Sequence, residues 1–415
     1  MRFKILKNKN LLLLMFGKIT SLIGSTMQTF ALSLFVLSTT GSATKFASIL
    51  AVTVIPELIL GPFAGVLIDW FDRKKIIVIL DTLSGIIIAV FAIFHIVTDR
   101  LPLICIYILV ISLSLISSFF QPAIQTVIPS IVEKEELVEA NSINSLLLSI
   151  GNFVSPAIAG VLCGIYGLKV IFIINSISFF ISAFSELFIE IPKTNKIKGK
   201  ISLQHFFSDF SEGIKFLLSN KGIFAIVTLG IILNFALGAI TVGNTFISKE
   251  VLKVSDFQYG LLESISVVAM MLSSLVVPYL SKKYTVGKGV YNSLFCGCIV
   301  VLLFVLVNNI FSTLYSFLFL IFLNSLLVFF LGITNILFGT YFQTIVPLDF
   351  MGRVSTVQNT IIMAAIPLSN MVFGLAFDKV SAVMIFPIVS LIMLIPLKLY
   401  KSTLINIEEE SSVTE

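Results

Sequence analysis

The sequence predicts an all-α membrane protein with twelve transmembrane helices arranged as two pseudo-symmetric six-helix bundles. Of its 415 residues, 57% are hydrophobic and only 12% are charged, whereas a soluble domain has about 25% charged residues. Apolar runs of bilayer length recur along the whole chain, and a short polar sequence occurs at corresponding places in both halves. A polytopic fold with an internal repeat follows from these three observations.

The twelve helices follow from bilayer thickness, because about 20 apolar residues are needed to cross it. The runs that meet this requirement cover residues 11–38, 44–68, 76–97, 101–128, 141–165, 168–189, 222–247, 257–281, 289–307, 310–346, 354–377 and 380–400. The tenth is long enough to tilt strongly or to contain a short turn. The first is too long for the apolar part of a cleavable signal peptide, so none is expected.

Basic residues predict the orientation. With the N-terminus inside, 20 of the 27 Lys and Arg residues fall in inner segments, six fall in outer segments, and Lys18 lies within the first run. Cytoplasmic loops carry the excess of basic residues in membrane proteins. We therefore predict a multi-pass membrane protein with both termini in the cytoplasm.

The longest polar segment lies in the middle of the chain and defines the predicted domains. Residues 1–189 are expected to form an N-terminal six-helix bundle and residues 222–401 a C-terminal one. Residues 190–221 form a cytoplasmic linker, and residues 402–415 an acidic cytoplasmic tail. Apolar residues recur at helical spacing in the linker, so an amphipathic helix on the inner membrane surface is expected.

The two halves are related in sequence. The pentapeptide at 125–129, QTVIP, recurs as QTIVP at 343–347, an offset of 218 residues. At the same offset Asn141 corresponds to Asn359, and Asn152 to Asn370. Parallel repeats of six helices facing a central substrate site are one of the architectures of secondary transporters.

A cluster of charges separates the second and third runs, within Gly61–Lys75. Two acids and three bases lie between Asp69 and Lys75, so this segment predicts a tight turn at a membrane surface. The segment resembles the signature loop between helices 2 and 3 of the major facilitator superfamily, with Asp72 where that family usually has its second Gly. The matching residues are Gly65, Leu67, Asp69, Arg73 and Lys74.

Asp81 follows this loop at a depth of about 9 Å past Lys75, at 1.5 Å per residue. Two interpretations stay open for it. Its carboxylate could pair with Arg73 or Lys74 in a gating network, or it could be a plain acid near the start of a helix.

Ionisable residues inside spans are costly and mark candidate functional sites. Glu57 lies 12 residues before Asp69, which places it ~18 Å from the cytoplasmic surface, near the midplane of the bilayer. Lys18 lies about 13 Å deep by the same measure, so the depths allow a Lys18–Glu57 pair. The pair is a candidate for proton or cation coupling, and the alternative is a structural pair that neutralises two buried charges.

Amides are the main uncharged polar groups within the apolar runs. Such scattered amides in an apolar bundle suit a cavity for a large amphipathic ligand. The candidate cavity residues are Gln28, Asn152, Asn234, Asn244, Asn335, Gln358 and Asn370. His95 and His205 are solitary and no phosphate-binding loop is present, so no metal, cofactor, enzyme activity or nucleic-acid partner is expected.

The fifth run contains a sequence that looks like a degraded form of the family's antiporter signature, G-x-x-x-G-P-x-x-G-G. It is carried by Gly151, Ser155, Pro156 and Gly160, with Ser155 and Ala159 in place of glycines. Small residues and a proline predict close helix contact and a bend. A structural kink without any meaning for antiport is the alternative.

Three stretches narrow the resemblance: residues 55–81, 119–132 and 352–370. They are similar to the drug:proton antiporter branch that includes bacterial macrolide-efflux and enterobactin-export proteins. The resemblance implies that Asp69 contacts the N-terminal end of the eleventh predicted helix (354–377), near Gly352–Ser355. Arg73 and Lys74 would complete the gate. Relatives commonly carry Arg where this chain has Ser114, and tend to have Gln where it has Lys18.

The resemblance implies a monomeric secondary transporter that exports a lipophilic or amphipathic compound, of drug, macrolide or siderophore type, in exchange for protons across the lipid bilayer. Two alternatives stay open. One is a uniporter or uptake carrier of the same fold, because Ser114 removes an expected coupling residue. The other is a transport-inactive membrane sensor or immunity protein.

Overall fold

The computed structural model of the chain describes residues 8–68, 72–133, 136–191, 203–308, 313–346 and 348–405. Within these ranges the chain is helical almost throughout and contains no strand. The helices are α1 (Lys9–Thr40), α2 (Ala43–Ile68), α3 (Arg73–Thr98), α4 (Leu103–Ile131), α5 (Leu137–Tyr166), α6 (Leu168–Leu187), α7 (Leu203–Ser219), α8 (Lys221–Phe246), α9 (Asp256–Leu280), α10 (Val286–Leu303), α11 (Thr313–Ile345), α12 (Leu348–Lys379) and α13 (Ala382–Leu399). A π-helical turn, Ile247–Val251, continues α8, and a 3₁₀ turn, Phe304–Asn308, ends α10.

Eleven helices of the described chain are long and apolar enough to cross a membrane. They correspond to the first eleven predicted runs, and the last run forms α13, whose apolar stretch Met384–Leu399 is shorter. Large apolar side chains such as Val97 and Leu275 are about three-quarters exposed, which fits a lipid-facing surface and not a water-facing one. The predicted all-α membrane fold is confirmed.

The contacts divide the chain into two compact units. Unit 1 comprises Met1–Gly41, Val52–Lys200 and Ser255–Ser264; unit 2 comprises Ser42–Ala51, Ile201–Val254 and Ile265–Glu415. Each unit is therefore one predicted half of the chain together with a segment of about ten residues from the other half. The exchanged segments are the start of α2 and the start of α9.

Polar residues at the helix starts explain where several helices begin. Asn8, Asn220 and Thr285 each accept a hydrogen bond from a backbone N–H of the first turn of α1, α8 and α10, respectively. These bonds satisfy donors that have no partner inside the helix. Gly41 ends α1 at a φ of 63°, a left-handed conformation that glycine adopts without steric cost.

Small residues let the helices of unit 1 approach closely. On α1, a methyl group at Gly17 would lie 2.5 Å from the Ser185 hydroxyl of α6, and Gly24 likewise approaches Asn175 and Ser178. The α3–α6 pair is joined by the Ser176 hydroxyl, which donates to the carbonyl oxygen of Gly85 at 2.8 Å. Close packing of this kind is the main source of helix association in lipid, where the hydrophobic effect does not act.

The linker helix α7 packs onto unit 2. Its residues Phe210, Ile214 and Leu217 belong to an apolar cluster that includes Val354 and Val357 of α12. The sequence correctly predicts an amphipathic helix here. It does not predict that the apolar face is covered by protein, because periodicity identifies an apolar face and not its partner.

Candidate functional site

The charged loop between α2 and α3 is only partly described by the structure. Gly65 lies in α2, Arg73 and Lys74 begin α3, and Asp69 lies outside the described residues. The predicted gate formed by these residues therefore stays a prediction. The structure does explain the departure at Asp72: its carboxylate caps α3, accepting from the backbone N–H groups of residues 74 and 75 at 3.0 and 3.2 Å.

Asp81 lies inside unit 1, against α6, and its predicted part in the gate stays a prediction. Its side chain is 1% exposed and lies beside Ser182 and Glu186 of α6. The reason is helical geometry: two turns into α3, position 81 faces α6, the helix against which Gly85 also packs.

Glu186 is a buried acid that the sequence analysis missed. It is fully buried, and neither carboxylate oxygen has a hydrogen-bond partner among the described residues. It lies three residues before the end of the predicted run 168–189. A polar stripe at helical spacing, Asn175, Ser178, Ser182 and Glu186, was the available signal.

Lys18 is buried and does not form the ion pair with Glu57 that their depths allow. Its ammonium group donates to the amide oxygen of Asn144 on α5 at 2.7 Å, and no ion pair between Lys18 and Glu57 occurs in the described part of the chain. Lys18 and Leu22 share one face of α1, and Leu22 packs directly on Gly151 of α5. That face therefore meets α5, while Glu57 is half-buried in α2.

The candidate cavity residues of the first half differ in their surroundings. Gln28 is buried and accepts a hydrogen bond from the side chain of Asn175 at 2.8 Å. Its amide therefore joins α1 to α6, contrary to the expected cavity position, because residue 28 lies on the α1 face packed against α6. Asn152 is exposed, as a cavity residue would be, and its predicted role stays a prediction.

The candidate residues of the second half differ in their burial and contacts. Asn234 donates to the carbonyl oxygen of Gly230 within α8 at 3.0 Å, and Asn370 is buried near Gly238. Gln358 is half-buried on α12, and Asn335 is exposed on α11. None of these contacts tests whether the residues bind a ligand.

A chain of polar groups crosses unit 2. The Asn244 side-chain amide donates to the Asn324 oxygen at 2.6 Å, and the Asn324 amide donates to the Ser266 hydroxyl at 2.6 Å. All three residues are buried. These hydrogen bonds join α8, α11 and α9. The Gln28–Asn175 hydrogen bond likewise joins two helices of unit 1 through side-chain amides.

The predicted close contact of the fifth run is present. A methyl group at Gly160 would lie 2.6 Å from the carbonyl oxygen of Asp256, and one at Gly260 would lie 2.5 Å from the carbonyl oxygen of Pro156. The Ser155 hydroxyl donates to Gly151 within α5 at 2.6 Å. The stretch therefore packs α5 backbone-to-backbone against the first turns of α9.

Ser114, where the resemblance implies an Arg, is buried on α4. Its hydroxyl donates to the carbonyl oxygen of Thr53 on α2 at 2.6 Å. A neutral hydrogen bond thus takes the place of a charge in this part of unit 1.

Comparison with known proteins identifies the family. The family model of the Major Facilitator Superfamily matches residues 14–370. Macrolide efflux protein A of Streptococcus pyogenes is 29% identical over 222 residues, which are 53% of this chain and 54% of that protein. The match thus spans about half the length of this relative.

Two further similarities cover nearly the whole chain. The uncharacterized MFS-type transporter YkuC of Bacillus subtilis is 26% identical over 388 residues, 90% of this chain and 87% of that protein. The crystal structure of a bacterial homologue of the iron transporter ferroportin in an inward-facing state superposes with a TM-score of 0.73 at 17% identity, over 97% of this chain and 99% of that one. The chain is a multi-pass membrane protein and belongs to the Major Facilitator Superfamily.

Proposed function

We propose that this protein is a secondary active efflux transporter that exports a lipophilic or amphipathic compound by alternating access, in exchange for protons. The observation that carries the proposal is the similarity to macrolide efflux protein A over half of the chain. A compound of drug, macrolide or siderophore type fits the apolar spans with few fixed amides. Ligand sites of this composition are typical for large apolar molecules.

Use of an ion gradient is supported by ionisable residues inside the spans of unit 1. Lys18, Asp81 and Glu186 are all buried there, although burial of such groups in a membrane is costly. Residues of this kind commonly form proton or ion pathways in transporters. The sequence contains no loop that would bind ATP phosphates, which favours a gradient as the energy source.

The proposal includes an orientation and a gate. The protein would lie in a bacterial plasma membrane as a monomer with both termini in the cytoplasm, as the distribution of basic residues favours. Gly65, Asp69, Arg73 and Lys74 would gate the cytoplasmic mouth. Glu57 is a candidate coupling residue that Lys18 does not neutralise directly.

One observation favours a second candidate, a uniporter or uptake carrier. Ser114 forms a neutral hydrogen bond where relatives commonly have Arg, so a charge associated with proton coupling is missing. The two candidates differ in whether an imposed proton gradient drives accumulation of the substrate.

The experiment has two steps. A strain lacking its own exporters, with and without this protein, is first scored for growth on a broad panel of lipophilic toxicants, with and without an uncoupler. The compound that gives the largest resistance is then added to the outside of everted vesicles. Accumulation that collapses with the proton gradient supports the proposal; uptake that only equilibrates the compound across the membrane, with or without the gradient, supports the second candidate. No change in resistance or uptake for any compound would contradict export of such compounds.

A further inference from the structure

We infer that Asp81 and Glu186 form a proton-binding site within unit 1, in which the two carboxyl groups share at least one proton at neutral pH. The site lies between α3 and α6, about 12 Å along α3 from Arg73 at 1.5 Å per residue. Neither residue was expected to be part of such a site, and no ordinary structural role accounts for two acids at this place.

The helix register brings the two acids together. The α3 and α6 helices run antiparallel, and Ser176 of α6 bonds to the carbonyl oxygen of Gly85 of α3. One turn back along α3 is Asp81, and further along α6 are Ser182 and Glu186, which share a face at i,i+4 spacing. Asp81 thereby faces both of them.

Burial makes full ionisation of this pair unfavourable. Asp81 is 1% exposed, and Ser182 and Glu186 are fully buried. Two carboxylates that cannot reach water repel each other and lose their hydration, so one of them takes up a proton unless a cation lies between them. The aspartic-protease dyad follows the same rule, in which two adjacent carboxyl groups share one proton.

Unused polar atoms mark the site as incomplete without a small cation. Oδ2 of Asp81 and both carboxylate oxygens of Glu186 lack a hydrogen-bond partner among the described residues. Buried polar atoms are nearly always satisfied. A proton shared by the carboxyl groups, with the Ser182 hydroxyl beside them, would satisfy most of these atoms at once.

The surroundings contain no described group that neutralises the acids. From α1, Gly17 contacts Ser182 and Ser185, and its neighbour Lys18 directs its ammonium group to Asn144 on α5. From α4, the residues packed near this end of α3 are apolar, with Phe120, Ile124 and Ile128 clustered around Ile77. Lys18 is thus the nearby base, and its described hydrogen bond is made elsewhere.

The site itself does not depend on the proposed function, whereas its role in transport rests on the proposed exchange of substrate for protons. In that role, proton release from the pair would leave two buried negative charges and shift the conformational equilibrium of the transporter.

The test measures protonation directly and needs no substrate. The purified full-length protein is titrated between acid and alkaline pH, and infrared difference spectra record the carbonyl stretch of protonated carboxyl groups. Wild-type protein should show this band at neutral pH. Asp81→Asn and Glu186→Gln should each reduce or shift it, and the double variant should lose the contribution of the pair. Asp99→Asn is the matched control, since that exposed acid is paired with Lys169 and should leave the band unchanged.

Three outcomes would overturn the inference. Absence of the band from wild-type protein at neutral pH, or a band in the double variant that matches the wild type in size and position, would show that the pair is ionised. A band that grows when sodium and divalent cations are withheld would identify a metal-cation site instead. Should one amide variant fail to fold, Ser182→Ala provides the second test, with an expected shift of the same band along the pH axis. The band could also be present without substrate while transport does not depend on the proton gradient. That result would support the proton-binding site and contradict the proposed exchange of substrate for protons.

Discussion

Asp378, near the end of α12, accepts a hydrogen bond from the hydroxyl of Ser42, at the start of α2, at 2.7 Å. The same carboxylate accepts from the backbone N–H groups of Ala43 and Thr44 at 2.6 and 3.0 Å. Asp378 thus caps the N-terminus of α2, although it lies more than 330 positions away in the sequence. A negative charge at this place also complements the positive end of the helix dipole. All four residues belong to unit 2.

Loss of this cap should destabilise the start of α2. We expect Asp378→Ala to lower the free energy of unfolding by about 1–2 kcal/mol, as for other N-cap deletions, because three donors lose their acceptor. Asp378→Asn, which keeps one acceptor oxygen, should cost less. Thermal unfolding of the purified wild type, Asp378→Asn and Asp378→Ala proteins ranks their stabilities, which should fall in that order. Equal stability of all three would contradict a capping role for Asp378.

Gly160 should tolerate no side chain, whereas Gly164 on the same helix should. A methyl group at Gly160 would meet the backbone of Asp256 at 2.6 Å, while nothing lies within 4 Å of the same position at Gly164. We expect Gly160→Ala to cost about 1–3 kcal/mol through overpacking. Gly164→Ala should be neutral or stabilising, since Ala is the better helix former by about 1 kcal/mol.

The two alanine variants are compared by unfolding in one detergent. The prediction fails if they shift stability by the same amount, because helix propensity alone affects both positions alike. Everted-vesicle transport by Gly164→Ala should equal that of the wild type, which makes it the control for any loss of transport in Gly160→Ala.

Gln28 should matter for stability and not for substrate choice. Its bond to Asn175 is buried, so Gln28→Leu leaves the Asn175 amide unsatisfied, at a cost of about 1–3 kcal/mol. The double variant with Asn175→Leu should recover part of this cost, because both partners are then apolar. A double-mutant cycle measured by unfolding gives the coupling energy between Gln28 and Asn175. A changed spectrum of toxicant resistance in Gln28→Leu would instead indicate that Gln28 lines the substrate cavity.

Much of the fold is predictable from the sequence because each span has to be apolar over a bilayer thickness. That requirement places the helices near their observed bounds, and helical spacing identifies α7 as amphipathic. The partners of individual side chains are not predictable in this way. Lys18 and Glu57 have matching depths, yet depth fixes only one coordinate, and the rotation of α1 directs Lys18 to Asn144.

For the same reason, the contact between Asp81 and Glu186 is not predictable from the sequence. Asp81 was noticed as an acid near a charged loop, and its neighbour Glu186 was not noticed, since 105 residues separate them in sequence. Their meeting depends on which helix lies next to α3, which a single sequence does not state. Asp378 was missed for the same reason, because its partners are on α2.

The exposed pair of Asp99 and Lys169 should give a small, pH-dependent contribution to stability. The hydrogen bond and the charge of Lys169, 2.6 Å away, lower the pKa of Asp99. A lowered pKa in the folded state stabilises the protein above the ordinary value of Asp, about 3.9. That contribution is lost as the pH falls through the lower folded value.

The comparison is between wild type and Asp99→Asn, because Asn also tolerates the positive φ of 51° at this position. The difference in unfolding temperature should be small at neutral pH, smaller still at high salt, and absent at a pH well below the folded pKa. A difference that persists at acid pH would show that the charge of Asp99 is not its source.

Glu57→Gln tests the coupling role proposed for Glu57 in α2. The amide keeps the size of the side chain and removes its titration, so the variant protein should reach the membrane in normal amount. If Glu57 carries the proton, gradient-driven uptake into everted vesicles should be lost, while exchange of labelled for unlabelled substrate without a gradient should persist. Asp99→Asn is the control, because it makes the same chemical change at an exposed site. Normal gradient-driven uptake by Glu57→Gln would remove Glu57 from the mechanism, and loss of uptake in Asp81→Asn or Glu186→Gln would then assign proton coupling to the buried pair.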